Sequence, residues 1–212
     1  SGGLILKEKL SIEYKRRIQR WVEELEKHVY SSVCEIELRG FESEDFWSYE
    51  KAKASATEIY PKSRKWGKAW TYGYFFSEYE VACDLEGKCL IYRPDTGRES
   101  LIYINGKAMG AKDKFHFNIP LTQYAKCGDK FEIFIESYAG HGERNGHVGP
   151  APQGTVTVPE PSGKQGIIGK NEICIWNENI YLLWIEVNTL FDIREKNHHD
   201  SLRVHEINRL LK

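Results

Sequence analysis

The residues best suited to do chemistry in this sequence lie in one glycine-rich segment, from Tyr138 to His147. His141, Glu143 and His147 are able to bind a metal ion, and the neighbouring glycines would let the backbone fold around an ion or a sugar. Their spacing matches no established zinc signature, so we predict no metal site there. Two interpretations stay open: a solvated loop, or a loop that contacts a carbohydrate or a neighbouring domain through Tyr138, His141, Glu143, Arg144 and His147.

Two further groups of residues have both a chemical and a structural interpretation. His198-His199-Asp200 contains potential metal ligands, but a short polar run of this kind is typical of a connection that caps a helix, and we predict that role. Trp66 and Trp70 are able to stack on a sugar ring. A tryptophan in an opening strand more often fills the seam between two sheets, and we predict that position for both.

No catalytic motif is present in the sequence. It contains no G-x-S-x-G elbow, no H-E-x-x-H pair, no phosphate-binding loop and no nucleotide fingerprint. Hydrolysis of glycosides usually requires two facing carboxylates, and none of the 31 acidic residues forms a pair that stands out by its context. We therefore assign no catalytic residue and no metal ligand.

Composition limits the classes of protein to which the chain could belong. Its 30 Lys and Arg residues balance 31 Asp and Glu residues, so the basic excess of a nucleic-acid-binding protein is missing. There is no long apolar segment and no signal-peptide pattern, which argues against a membrane partner. The number of cysteines is odd and no C-x-x-C pair occurs, which favours free thiols in a reducing compartment. A disulfide between Cys83 and Cys89 across a hairpin is the alternative. The sequence predicts a cytoplasmic protein.

The elements that would position these residues follow from the spacing of apolar side chains. A helix is predicted from about 8 to 30, because its apolar residues recur every three or four positions: Leu10, Tyr14, Ile18, Trp21, Leu25 and Val29. Short strand-like runs separated by turn residues follow. They are Val33–Leu38, Trp70–Phe76, Tyr79–Asp84, Lys88–Tyr92, Ser100–Ile104, Lys114–Ile119 and Lys130–Tyr138. This order is typical of an antiparallel β-sandwich or jelly roll.

The rest of the chain is predicted to be a long loop followed by helices. Residues 139–169 are rich in proline and glycine, with one strand-like run at Thr155–Val158. A last strand is predicted at Glu172–Trp176. Asn177 or Asn179 would cap a helix that runs to about Arg194, and Asp200 or Ser201 would cap a second. We expect three parts: a helical segment (1–32), a β-sandwich domain (33–176) and a helical linker (177–212) that leads to a catalytic domain outside this sequence.

An ordered set of short motifs runs through the predicted strands. It comprises Trp66-Gly67-Lys68-Ala69-Trp70, Tyr74-Phe75-Phe76, the hairpin from Gly97-Arg98-Glu99 to Asn105-Gly106, and Tyr138-Ala139-Gly140-His141. This set resembles the amino-terminal domain of family 38 glycoside hydrolases, the α-mannosidases. The resemblance covers most of Val33 to Lys212. Its Asn-Gly hairpin also occurs in the sugar-binding sandwich domains of other large glycosidases, such as β-galactosidases.

The resemblance implies a fold and a role. The fold would be mainly β, an antiparallel sandwich of the jelly-roll, galactose-binding-like kind, with an N-terminal helix and two C-terminal helices. The role would be non-catalytic docking and structural support of the enzyme's own catalytic barrel. In the family, a zinc ion and an aspartate nucleophile act in that barrel. The first zinc ligands come from a His-x-Asp motif near the start of the catalytic domain. The His-x-Asp spacing in this sequence, His198-His199-Asp200, lies in the predicted connection between two helices and not at the start of a barrel, so no cofactor is expected in this chain.

Two other functions stay open. The first is a carbohydrate-binding module that contacts an α-mannoside glycan through residues 138–147. The second is a small self-sufficient hydrolase that uses the same loop. For the docking domain, a homo-oligomer is a further partner to be considered.

Overall fold

The structure is a computed structural model that describes residues 2–68, 70–139, 165–198 and 201–211, with side chains from Ile12 onward. The chain divides into a β-rich unit, Ser32–Ile175, and a helical unit made of Ser1–Ser31 and Trp176–Lys212. The predicted fold class, an antiparallel β-sandwich with one N-terminal helix and two C-terminal helices, is confirmed. Among the described residues, no helix is both long and apolar enough to cross a membrane.

The described residues form four α-helices and twelve strands. The helices are α1 (Gly2–His28), α2 (Tyr49–Ser55), α3 (Glu178–Lys196) and α4 (Leu202–Leu210). The strands are β1 (Tyr30–Glu35), β2 (Leu38–Ser43), β3 (Glu58–Tyr60), β4 (Lys65–Trp66), β5 (Tyr72–Glu80), β6 (Leu90–Arg93), β7 (Ser100–Ile104), β8 (Lys107–Lys112), β9 (Ile119–Thr122), β10 (Lys130–Tyr138), β11 (Gly166–Ile167) and β12 (Glu172–Trp176).

Two main sheets enclose the core of the β-rich unit. One has six strands in the order β3-β2-β5-β10-β7-β8, and the other has four in the order β1-β12-β6-β9. The longest pairing joins β5 to β10 over nine residues, from Lys130 opposite Glu80 to Tyr138 opposite Tyr72. Because side chains alternate along a strand, every second residue of β10 enters the core. The buried residues of the core include Phe75, Leu90, Tyr92, Ile102, Ile133, Ile135 and Ile173.

Trp66 is fully buried and lies at one end of this core. Its Nε1 donates a hydrogen bond to the carbonyl oxygen of Thr96 at 2.7 Å. A Cβ on Gly73 would lie 2.5 Å from the indole ring, and one on Gly166 would lie 2.6 Å from Nε1, so both positions require glycine. The predicted core position is confirmed for Trp66. It is wrong for Trp70, which is 48% exposed because its backbone turns through the left-handed region (φ 60°) before β5 begins.

Several predicted strands are corrected by the structure. Val33–Leu38 is two strands rather than one, with a break where the Ile36 N–H donates to the carbonyl oxygen of Asn171 and the chain passes from one sheet to the other. Trp70–Phe76 and Tyr79–Asp84 are replaced by the single strand β5, because β10 pairs with it along its full length. Lys114–Ile119 is not a strand, since Asp113 accepts hydrogen bonds from the backbone of Phe115 and His116 and so forms a turn.

Some predicted strands agree with the structure, one is shifted, and some observed elements were not predicted. The strands Ser100–Ile104, Lys130–Tyr138 and Glu172–Trp176 are confirmed as predicted. The predicted strand Lys88–Tyr92 is shifted to Leu90–Arg93. Strand β8 and the three short elements between Tyr49 and Trp66 were not predicted.

The helical unit has its own small core. Ile18, Val187, Ile207 and Leu211 are buried there. Val22 packs against this cluster, whereas Trp21 is exposed, which corrects the predicted apolar stripe of α1. At about 100° per residue, Val22 lies roughly 40° around the helix from Ile18 and Trp21 lies roughly 60° away.

Ion pairs between helices accompany this small core. Arg194 is buried, its Nε donates to Asn208 Oδ1 at 2.8 Å, and its guanidinium pairs with Glu195. Lys15 of α1 pairs with the same glutamate at 2.6 Å. Glu195 and its two cationic partners therefore link α1 to α3, and Asn208 extends the link to α4.

Cys83 and Cys127 form a disulfide, which corrects the expectation that the cysteines are all thiols. Cys83 follows β5 and Cys127 precedes β10, so the pairing of Glu80 with Lys130 brings the two cysteines together. Cys34 and Cys174 are free thiols, and burial raises the pKa of Cys174 to about 12. Cys89, the alternative partner for Cys83, is not part of the disulfide.

Replacing both Cys83 and Cys127 by alanine is expected to lower the free energy of unfolding by roughly 2–4 kcal/mol, because the disulfide closes a loop of 44 residues. Urea denaturation of the oxidised protein measures this change. A reducing agent should shift the original protein by a similar amount and leave the double variant unaffected. Equal stability of the two oxidised proteins would contradict the disulfide.

A candidate binding face on the six-stranded sheet

The six-stranded sheet has an aromatic outer face, which we define as the face turned away from the sandwich core. Since Ile133 and Ile135 enter the core, Phe134 and Glu136 lie on the outer face, and so do the β5 residues paired with them, Phe76 and Tyr74. Helix α2 packs over part of this face with Ala52 fully buried. The aromatic residues of the cluster are Phe41, Trp47, Tyr49, Tyr72, Tyr74, Phe76, Tyr103 and Phe134.

The part of the outer face beneath α2 has a carboxylate with protein partners. Glu132 accepts a hydrogen bond from the Tyr49 hydroxyl and pairs with the ammonium group of Lys53. Burial alone would raise the pKa of Glu132, but the hydrogen bonds from Lys53 and Tyr49 outweigh it and lower the pKa. Nearby, the backbone N–H of Trp47 donates a hydrogen bond to the Tyr74 hydroxyl oxygen at 2.8 Å. The carboxylate of Glu132 therefore has its hydrogen-bond and ion-pair partners within the protein.

Glu136 lies on the same strand and the same face, four residues further along. It is directly opposite Tyr74 on β5 and Leu101 on β7, and it is half-buried. Burial raises the pKa of its carboxyl group above the ordinary value of 4.5. Among the residues that the structure describes, no group donates a hydrogen bond to Glu136 or forms an ion pair with it.

A cleft of about 340 Å³ opens beside Glu136. Its walls are formed by β7, β8 and β10, through residues that include Glu99, Leu101, Ala111, Asp113, Glu136 and Tyr138. Asp113 is already engaged, because hydrogen bonds from the His116 side chain and from two backbone N–H groups lower its pKa to about 2. Glu136 is thus the acidic group of the cleft that is both half-buried and without a described partner.

Aromatic rings continue from the cleft towards the end of the sheet. The ring centroids of Tyr138 and Tyr72 are 4.9 Å apart, and those of Tyr72 and Phe46 are 5.8 Å apart. Phe46 is 65% exposed, although it is a large apolar side chain. A carboxylate, a cleft and partly exposed rings therefore lie together at the C-terminal end of β10.

One of the residues predicted for a site is placed by the structure. Tyr138 is the last residue of β10 and lines the cleft. His141, Glu143, Arg144 and His147 lie outside the described residues, so their contribution stays a prediction.

The second predicted cluster is described only in part. The carbonyl oxygen of His198 accepts a hydrogen bond from the Ser201 N–H, and the Ser201 hydroxyl accepts one from the Val204 N–H and so caps α4. His199 and Asp200 lie outside the described residues. Within the described ranges, no three His, Cys, Asp or Glu side chains lie close enough together to hold a metal ion.

The sequence did not single out Glu136. A signal was present, because Glu132 and Glu136 alternate with the isoleucines of a strongly apolar strand and must share its other face. What distinguishes the two glutamates is the position of α2, whose Tyr49 and Lys53 lie about 80 residues earlier in the chain. Local sequence carries no information about that contact.

Comparisons with known proteins give a likeness of fold. No protein-family model matches the sequence, and no curated protein matches it. The chain is similar to solved structures of β-glucuronidase from Ruminococcus gnavus. The structure of that enzyme with D-glucaro-d-lactam bound is 11% identical to this chain in sequence, with a TM-score of 0.45. The match covers 70% of this chain and 29% of the enzyme chain. The structure with D-glucuronic acid bound is 12% identical to this chain, with a TM-score of 0.43, and the match covers 70% of this chain and 30% of the enzyme chain.

The extent of this match limits its meaning. The chain spans about three tenths of the length of the solved structures that it matches. A likeness at this identity and TM-score concerns the course of the backbone alone and assigns no activity.

The two glutamates of β10 should respond oppositely to substitution by glutamine. At pH 7, Glu132→Gln should lower the free energy of unfolding by roughly 1–3 kcal/mol, because it weakens the contacts with Lys53 and Tyr49. Glu136→Gln should leave stability unchanged or raise it, because it removes a half-buried charge that has no described partner.

The pH dependence of the two variants separates the causes. The folded-state pKa of Glu136 is raised, so its charge destabilises the protein above that pKa, and the advantage of Glu136→Gln should vanish as the pH falls below 4.5. The folded-state pKa of Glu132 is lowered, so its stabilisation is present above 4.5 and is lost as the pH falls through the folded value. Urea denaturation at pH 7 and pH 4 measures both effects. A Glu136→Gln variant that is less stable than Glu132→Gln at pH 7 would contradict this account.

Proposed function

We propose that this chain is the non-catalytic β-sandwich domain of an α-mannosidase of glycoside hydrolase family 38, where it docks against and supports the catalytic domain. The observation that carries the proposal is that motifs of the resemblance which are distant in sequence meet at Trp66 and Gly67.

Three of the four motifs contact one another here, and the remaining one begins next to a contact of Trp66. Trp66 of the first motif packs edge-on against Phe75 of the second, with ring centroids 5.2 Å apart. The third motif begins at Gly97, directly after Thr96, whose carbonyl oxygen accepts the indole hydrogen bond. Gly67 has a φ of 81°, and a Cβ there would lie 2.5 Å from the Cβ of Ala139 in the fourth motif.

Gly97 is fixed by its surroundings in the same way. It has a φ of 73°, and a Cβ there would lie 2.5 Å from the backbone nitrogen and oxygen of Ile167. Motifs that are distant in sequence but meet in the core specify a fold rather than a reaction. Their convergence supports a family resemblance that is structural and supports a non-catalytic role.

The proposal extends to the whole enzyme of which this chain would be part. That enzyme would hydrolyse α-mannosides with a zinc ion and a nucleophile supplied by its own catalytic domain. It would act in the cytoplasm, and a second copy of the chain is a further proposed partner. Docking is supported by apolar side chains that α3 and α4 leave exposed, namely Leu182, Leu183, Ile185, Leu202 and Leu210. Cytoplasmic thiols are usually kept reduced. In the proposed compartment, Cys83 and Cys127 would therefore be thiols instead of the disulfide seen in the structure.

Assays of the complete gene product and of this chain alone test the proposal. The complete product should release nitrophenol from 4-nitrophenyl α-D-mannopyranoside and lose this activity when zinc is chelated. This chain alone should not exceed a mock-purified control. 4-Nitrophenyl β-D-glucuronide serves as the competing substrate, since the similar solved structures are β-glucuronidases. Activity of the chain by itself, or a complete product that cleaves only the glucuronide, would overturn the proposal.

A further inference from the structure

We propose that the cleft beside Glu136 binds a pyranose ring of a neutral carbohydrate, with the Glu136 carboxylate accepting hydrogen bonds from sugar hydroxyls and the Tyr138 ring packing on the sugar's C–H face. This inference goes beyond the proposed function, because it depends on the outer face of the sheet and holds whether or not the chain belongs to an α-mannosidase.

The first argument is the contrast between two carboxylates on one strand. Glu132 has a hydroxyl donor and an ammonium partner, as a partly buried carboxylate normally requires. Glu136 is held half-buried against Tyr74 and Leu101 without a described donor. A ligand that donates hydrogen bonds would supply what α2 supplies to Glu132.

The second argument is the composition of the surface around Glu136. Tyr138 is two residues away on the same face of β10, and Tyr72 lies directly opposite Tyr138. Both rings are partly exposed and in mutual contact, with centroids 4.9 Å apart. A pyranose has one apolar C–H face and a rim of hydroxyl groups, so it can contact rings and a carboxylate at the same time.

The third argument concerns the charge of the ligand. A cation would also pair with Glu136 and could lie over an aromatic ring. Lys112 does not prevent this, because the register of β8 with β7 places its side chain on the core face with Ser100, where its ammonium group is 3.5 Å from Asp95. Glu99 adds another acceptor at the rim. A polyol donates hydrogen bonds to such acceptors and also covers the Tyr138 ring with its C–H face, whereas a compact cation would contact only one of the two. A guanidinium probe is therefore the competing ligand in the test.

The size of the cleft agrees with a small ligand. Its volume of about 340 Å³ is at the lower end of the roughly 300–1,000 Å³ that is usual for ligand sites. It is therefore suited to one or two sugar rings at a time.

Titration of the ¹⁵N-labelled chain, followed by NMR, tests the inference with methyl α-D-mannopyranoside and methyl β-D-glucopyranoside as probes. At least one probe should cause saturable shifts in the amide signals of Leu101, Glu136 and Tyr138. Glu136→Gln should weaken binding about tenfold or more, as expected for hydrogen bonds to a charged group. Tyr138→Ala should also weaken it, whereas Glu78→Gln, which alters an exposed carboxylate on the same outer face, should not.

Three results would overturn the inference. The first is the absence of saturable shifts with both probes. The second is binding that Glu136→Gln leaves unchanged, and the third is tighter binding of N-acetylarginine amide than of both sugars at these residues. The Glu136→Gln and Glu78→Gln variants are first compared with the original protein by urea denaturation, so a loss of fold cannot imitate a loss of binding. These outcomes are separate from the enzyme assays, because sugar binding by this chain requires no catalytic domain.

Discussion

The pairing of β5 with β10 is the constraint on which the rest of the β-rich unit depends. Nine consecutive residue pairs fix the register of the two central strands. Because side chains alternate, this register places Ile133 and Ile135 in the core and Phe134 and Glu136 on the outer face. A shift of one residue would exchange these two sets and bury a carboxylate in place of an isoleucine. The same register also brings the ends of the strands together, where Cys83 meets Cys127.

Helix α2 covers only part of the outer face, and this gives Glu132 and Glu136 different properties. Glu132 and Glu136 are both on the outer face of β10, yet α2 reaches only the first of them. The pKa of Glu132 is therefore lowered by its partners, and the pKa of Glu136 is raised by burial. A half-buried carboxylate without a described partner costs stability, and groups with perturbed pKa values cluster at functional sites. Trp66 and its glycines, in contrast, serve the packing of the core.

The sequence predicted those parts of the fold that local patterns determine. Lys130–Tyr138 and Ser100–Ile104 combine short runs of β-branched and aromatic residues with flanking turn residues, and both strands were predicted with their observed bounds. Contacts between distant segments could not be predicted in this way. They include the nine-residue extent of β5, the turn at Asp113, the disulfide, and the position of α2 over Glu132. Tyr138 was identified as a candidate from its neighbours in sequence, whereas Glu136 required the sheet register and the coverage by α2.

The central claim is that Glu136, which has no partner among the described residues, binds a sugar, whereas Glu132 is satisfied by α2. Carbon-detected NMR of the two side-chain carboxyl groups tests it most directly, by following both resonances through a pH titration with and without methyl α-D-mannopyranoside or methyl β-D-glucopyranoside. The account predicts that Glu136 titrates above 4.5 and Glu132 below it, and that a sugar shifts the Glu136 resonance alone. A Glu136 carboxyl that titrates below 4.5, or that responds to neither sugar, would contradict it.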